Sequence, residues 1–425
     1  MKNLVKKLSI FCCICLLLGA CEDKKPTGEK PDPIVSYNIT PINGGATISY
    51  TIPKDPNVLY VMAEYTRNGK VFTERSSTHV NSLTIEGFNT LDQVSANLYT
   101  VNFHEMKSDP LTVSFTPLES IVSLVSNSVR IAPDFGGIRV SFENAKENPL
   151  GVRLMVDSLG TLIDKDIIFT SLASVMHIFR GFKSVETTFA LNFEDKWGNV
   201  SDMVYYTGTP IFEEEVPKPW TDMRSSIPLD NTTKPHFSPG IHTIWDNIVT
   251  IDGDSRYLSM SGSEGCSFSF DLGVVVKLSR MAMWPYLSSG EPSWADAVYR
   301  EVHIMKFEMW GTPALDYDKL SDRSYWLHPY TSEQLNEPLP ERTFMDDWVY
   351  LGVYEVERLD LMGASDADIL ERGLYGHHFN VPIECDPVRF IRFFPLCTAD
   401  ACPPLNNYWQ VGELSFWGDT TVPQD

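Results

Sequence analysis

Residues 34–118 consist of short runs in which apolar and polar side chains alternate, interrupted at close intervals by Gly, Pro and Asn. Examples are Ala46-Thr-Ile-Ser-Tyr-Thr-Ile52, Leu59-Tyr-Val-Met-Ala-Glu-Tyr65 and Leu111-Thr-Val-Ser-Phe115. Side chains on a strand point alternately to its two faces, so runs of this length rich in β-branched and aromatic residues predict antiparallel strands with one face buried. The pattern then repeats. Gly44-Gly-Ala-Thr-Ile-Ser-Tyr50 is echoed by Gly136-Gly-Ile-Arg-Val-Ser-Phe142. Further on, Phe189-Ala-Leu-Asn-Phe193, the turn Asp195-Lys-Trp-Gly-Asn199 and Met203-Val-Tyr-Tyr206 take the place of the first unit's last hairpin. Two successive sandwiches follow from this, over residues 34–119 and 120–212. The segment 213–218, Glu-Glu-Glu-Val-Pro-Lys, reads as a charged, semi-rigid spacer. With 425 residues, of which 43% are hydrophobic, the chain has room for a third domain over 219–420.

The first segment reads as an address. Lys2, Lys6 and Lys7 precede an apolar run, Leu8 to Ala20, that is too short to span a bilayer, which marks 1–20 as a signal peptide. The run closes Leu18-Gly-Ala-Cys21, which resembles the bacterial lipobox, so Cys21 is expected to be the lipidated first residue; the alternative is a secreted chain in which Cys21 is incidental. Several acyl chains suffice for stable anchoring. Glu22-Asp23 opens a polar, Pro-containing stretch over 21–33 that resembles the surface-export signal of Bacteroidetes lipoproteins, implying the outer face of the outer membrane. Removing 1–20 takes away three lysines and no acid, so the formal charge of −22 becomes about −25. An anionic surface of this size disfavours nucleic acid as a partner.

Cys12, Cys13 and Cys15 leave with the signal peptide, and their C-x-x-C spacing carries no redox reading. Export permits disulfides, and Cys397-Thr-Ala-Asp-Ala-Cys402 either closes on itself or holds two free thiols.

The last part of the chain is the most informative. Phe268-Ser-Phe-Asp-Leu-Gly273 with Leu278-Ser-Arg-Met-Ala-Met-Trp284 resembles the strand pair of discoidin-like, galactose-binding-like jelly-roll sandwiches. Phe307-Glu-Met-Trp-Gly311, Trp348-Val-Tyr-Leu-Gly352, Val388-Arg-Phe-Ile-Arg-Phe393 and Val411-Gly-Glu-Leu-Ser-Phe-Trp-Gly418 continue the resemblance. Tyr99 to Thr116 similarly resembles the closing hairpin of a fibronectin type III domain. The expected fold is therefore all-β: two tandem immunoglobulin-like sandwiches and a discoidin-like sandwich. The arrangement resembles three-domain Bacteroidetes surface lipoproteins linked to Sus-like glycan-uptake systems. The resemblance implies a glycan ligand and contact with an outer-membrane transporter complex.

Discoidin-like carbohydrate-binding modules often hold a structural calcium, which wants several oxygen ligands. The resemblance offers Asp246, Asp252 and Asp254 from the early loops and Glu413 from the last strand; the alternative is that these are turn residues on an acidic surface. Glycan binding uses aromatic faces and a few polar side chains. Tyr286, Trp294, Tyr299, Arg300 and His303 crowd one loop, Tyr408 and Trp409 lie beside the cysteine pair, and Trp326 sits in a long insertion between strands. Together they are the expected glycan rim, though each aromatic alone fits packing as well.

No Walker loop, His-Glu-x-x-His or G-x-S-x-G elbow occurs. His377-His378 has no helical partner and reads as surface histidine after a helix running from Ser365 to Gly373. The main alternative to a glycan-binding lipoprotein is a structural or adhesive one that binds a protein. A glycoside-active enzyme is the weaker alternative, since a pair of carboxylates is all it would need.

Overall fold

Alternation this short leaves the backbone few ways to satisfy its N–H and C=O groups except by pairing strands. The computed structural model describes residues 28–232, 240–253, 256–259, 265–402, 404 and 408–424. The signal peptide, Cys21 and Asp254 lie outside the described residues. The chain divides into two compact units, one of residues up to 130 with 140–176 and 188–206, the other of 131–139, 177–187 and 207–425. The strands of the second sandwich are divided between them.

The first sandwich has β1 (Ser36–Ile42), β2 (Gly45–Thr51), β3 (Val58–Arg67), β4 (Lys70–Ser77), β5 (Ser82–Ile85), β6 (Val94–Asn102) and β7 (Leu111–Phe115). They form sheets of order β1-β2-β5 and β4-β3-β6-β7, with these strands paired antiparallel. Alternation works as expected. On β2, Ala46, Ile48 and Tyr50 are buried while Ser49 and Thr51 face out. Each large apolar side chain so buried contributes about 1.5–3 kcal/mol.

The second set repeats this order: β8 (Arg130–Asp134), β9 (Gly137–Glu143), β10 (Leu150–Ser158), β11 (Thr161–Thr170), β12 (Ser174–Phe179), β13 (Thr187–Asp195) and β14 (Val204–Gly208). Its sheets run β12-β9-β8 and β11-β10-β13-β14. The helix α1 (Ile121–Ser128), absent from the sequence expectation, precedes them, capped by Ser120 and seated on Val122 and Val125.

The echoed Gly-Gly pair has a physical reason. Gly44 and Gly136 turn the chain at φ +65° and +62°, conformations that cost a side chain dearly. A Cβ on Gly45 would lie 1.9 Å from the Ile85 carbonyl oxygen, and one on Gly137 would lie 1.7 Å from that of Phe179. Neither backbone can give way without breaking its sheet, so Gly137→Ala should cost more than about 2 kcal/mol. A melt within about 2 °C of wild type would refute this.

The third sandwich is built around one long strand. Its elements are β15 (Glu214–Glu215), β16 (Thr221–Asp222), β17 (Tyr257–Leu258), β18 (Phe268–Trp284), β19 (Ile304–Thr312), β20 (Val349–Glu355), β21 (His377–Asn380), β22 (Val388–Thr398), β23 (Gln410–Val411) and β24 (Glu413–Asp419). The pair of strands expected from Phe268 to Trp284 is instead the single strand β18. Its first half pairs with β22 and β16, and its second half with β24 and β21. The register breaks between Asp271 and Val276, around Gly273 at φ +80°. One strand thus serves two sheets, and Phe268, Phe270, Phe307, Phe393 and Phe416 fill the core. The expected spacer at 213–218 is not free: Glu214 and Glu215 pair with Gly418 and Trp417 of β24.

A helix α2 (Trp294–Val298), a helix α3 (Pro329–Leu335) within the long insertion, and a helix α4 (Asp366–Tyr375) complete the third part. Ser365 caps α4 as expected, with Asp368 closing a capping box, but the helix runs past Gly373 to end at Gly376. At Gly373, inside the helix, a Cβ would meet Val298 of α2 at 2.7 Å, so the close approach of the two helices favours glycine there.

Candidate functional site

Most of the expected glycan rim is core. Trp409 is fully buried, its ring 4.6 Å from Phe268 and 5.1 Å from Tyr257. Trp326 is buried under the insertion beside Phe344 and Trp348, and its Nε1 donates to the Lys319 carbonyl at 2.9 Å. Tyr299 is buried too. Its hydroxyl donates to the Glu357 carbonyl at 3.0 Å and accepts from the Leu359 N–H at 3.1 Å. Tyr286 is 9% exposed and covered by the Arg256 guanidinium 3.7 Å from its ring centre. His303 is buried with Nδ1 2.9 Å from the Val298 carbonyl, and burial pulls its pKa down to about 4. None of these five can lay a ring face against a sugar. An aromatic that can close a sandwich or roof one of its sheets gains more from burial than from facing water.

His377 is also buried rather than a surface residue, because β21 pairs with β18 and sets His377 opposite Met283. Burial pulls its pKa down to about 3.

Three rim residues keep some access to solvent. Tyr408 is half-buried, Trp294 packs partly on the core as the first residue of α2, and Arg300 pairs with Glu291 at 2.9 Å. Ser293 starts α2 by accepting the Asp296 N–H at 3.1 Å, which fixes where the helix turns.

Cys397 and Cys402 are joined as a disulfide. The small loop it closes lies along the segment after α2: the Ala399 N–H donates to the His303 carbonyl at 3.1 Å and the Asp400 N–H to the Glu301 carbonyl at 3.3 Å. Between this loop and α2 opens a cleft of about 360 Å³, lined by Glu291, Pro292, Asp296, Tyr299, Arg300, Glu301 and Asp400. It offers hydrogen-bond acceptors around one guanidinium, a set suited to hydroxyl groups. Its four carboxylates against one cation disfavour anionic ligands. Of these lining residues, the sequence had pointed only to Tyr299 and Arg300. The carboxylates carry no periodic signal among 56 acids.

Of the expected calcium ligands, Glu413 and Asp246 meet, while Asp252 is held apart from them. Glu413, 2% exposed, is ion-paired with the Lys218 ammonium, and its other oxygen accepts the Asp246 N–H at 3.2 Å. Lys218 Nζ also donates to Asn247 Oδ1 and Ser415 Oγ, each at 2.9 Å. Asp252 is engaged elsewhere, accepting the Ser289 N–H at 2.9 Å and the Ser289 hydroxyl, which hold its pKa low. Asp254 lies outside the described residues. Among the described residues no group of three or more His, Cys, Asp and Glu could hold a metal ion. The Lys218 ammonium sits between Glu413, Asn247 and Ser415, so these described oxygens already hold a cation and do not fit calcium.

These are the features of an all-β chain of three sandwiches, with a polar cleft on the last. Residues 31–117, 118–219 and 245–418 match three family models, DUF4959, DUF5126 and DUF5000, each described as a domain of unknown function. No curated protein matches the chain. Among solved structures, SusE-like protein BT2857 is 20% identical, covering 70% of this chain and 98% of its own, at a TM-score of 0.38. A two-domain fibronectin type III segment of chicken tenascin is 11% identical, covering 42% and 99%, at 0.21. A family 89 glycoside hydrolase from Clostridium perfringens is 10% identical over 49% of this chain and 15% of its own, at 0.26.

Proposed function

We propose that the chain is a non-catalytic, lipid-anchored surface protein that binds a neutral glycan in the cleft between α2 and the Cys397–Cys402 loop, as part of a Sus-like uptake system. The observation that carries this reading is the cleft itself. It is a walled, solvent-open site in which Arg300 donates and Glu291, Asp296, Glu301 and Asp400 accept. A sugar's hydroxyls do both, and a neutral sugar avoids the repulsion that four carboxylates impose on a sulfated or uronic one. The anchor rests on the run ending at Cys21, and the uptake system on the resemblance of the whole layout.

Arg300→Ala should weaken retention on neutral polysaccharides in affinity electrophoresis by roughly tenfold, the loss of about one charge-assisted hydrogen bond, with the melting temperature unchanged. Retention equal to wild type, or tighter retention on sulfated than on neutral polysaccharide, would overturn the assignment.

A further inference from the structure

A second concavity lies far along the sequence from that cleft, on the outer face of the sheet β11-β10-β13-β14. It measures about 640 Å³, within the range of small-ligand sites. Strand register builds it. Gly151 on β10 stands between Phe169 of β11 and Glu194 of β13, and Arg153 between Ile167 and Asn192. Val152, Leu154, Leu191 and Phe193 alternate with these residues and are fully buried, so Gly151, Arg153, Phe169 and Glu194 belong to the outer face.

Phe169 is 78% exposed, more than any other aromatic residue described. Leaving it in water forgoes about 1.5–3 kcal/mol of burial. The ring rests on Gly151: its Cε1 lies 3.3 Å from where a Cβ there would be, so any side chain at 151 would push the ring away. Beside it the Arg153 guanidinium is braced by Asp164 at 2.9 Å and Glu194 at 3.9 Å. An immobilised guanidinium loses little freedom on accepting a further partner. A bare aromatic ring next to a braced cation and its carboxylates matches a pyranose, which has one apolar C–H face and a rim of hydroxyls that donate and accept.

We propose that this groove is a second saccharide-binding site, with Phe169 stacked on the C–H face of a neutral sugar and Arg153 and Glu194 bonded to its hydroxyls. The proposal rests on the glycan reading above and adds a site on a different sandwich. Two sites on one chain would raise retention on a polymer beyond that of either alone.

The test compares the full mature chain with Phe169→Ala, Arg153→Ala and Arg300→Ala on a panel of neutral polysaccharides, with light scattering on each. Removing an aromatic platform should weaken retention roughly tenfold in Phe169→Ala, with Arg153→Ala following it and melting temperatures unchanged. If Arg300→Ala alone weakens retention while Phe169→Ala matches wild type, this proposal is overturned and the first reading stands. If Phe169→Ala weakens retention and Arg300→Ala does not, the groove is upheld and the cleft assignment falls. If wild type binds none of the panel, both fail. A concentration-dependent dimer lost in Phe169→Ala, with retention unaltered, would assign the face to a second copy of the chain instead.

Discussion

Arg392→Leu is expected to destabilise the third sandwich by about 3–5 kcal/mol, because it strips a buried carboxylate of its cation. Arg392 and Asp230 are both fully buried, Nε facing Oδ1 at 3.3 Å. The guanidinium also donates to the Trp326 carbonyl at 3.1 Å, to Ser267 Oγ at 3.2 Å and to the Pro228 carbonyl at 3.4 Å, and it sits 4.5 Å from the Phe344 ring centre. Ser267 Oγ in turn donates to Asp230 at 2.7 Å. Burial raises the Asp230 pKa against the pull of Arg392, so losing the arginine removes the guanidinium that most opposes that burial. At about 2–4 °C per kcal/mol for a unit of this size, the melting transition should fall by on the order of 10 °C. The double variant Arg392→Leu with Asp230→Leu should recover a large part of that loss, since an apolar pair of similar volume is often no worse than a buried ion pair. A single variant melting within about 2 °C of wild type, or a double variant less stable than the single, would sink the argument.

That network also shows why the site was harder to read than the fold. The sandwiches follow from alternation and turn residues, which are local. The Gly44-Gly45 and Gly136-Gly137 echo marks the repeat, together with the matching closing hairpin, because both pairs answer the same two demands of turn and close strand. Whether an aromatic faces water depends on what a remote segment covers. Residues 313–348 were visible as an overlong connection around Trp326, but nothing local showed that they fold onto the outer face of β22. There Trp326, Phe344 and Trp348 join Phe390 in a second small core over Arg392. Trp409 follows the same rule: strand β23 draws it against Phe268. The signal at Phe169 was weaker still. It sits in a run indistinguishable from any edge strand, and only the register that sets it opposite Gly151 reveals a ring left on the surface.

Lys218→Met is expected to cost little at pH 5 and about 3–5 kcal/mol at pH 8, the larger figure being that of an unpaired buried charge. Glu413 lies almost wholly inside the third sandwich, and burial raises its pKa to about 7 although the Lys218 ammonium pulls the other way. It holds its proton more tightly folded than unfolded. Its contribution to stability is therefore complete below about pH 4.5 and is lost as the pH climbs through about 7. Without the ammonium the proton is held more tightly still, which moves that window upward. At pH 5 the variant's carboxyl is neutral and sits in apolar surroundings at modest cost. At pH 8 folding must either bury the naked carboxylate or take up a proton, and the gap between variant and wild type widens. Because the lysine already neutralises Glu413, a chelator should leave the wild-type melt unchanged at both pH values. Melts of both proteins at pH 5 and pH 8, with and without chelator, test each step. An equal penalty at the two pH values would show that Glu413 is not the partner that matters, and a chelator-dependent drop in wild type would show that a metal ion, not Lys218, holds these oxygens together.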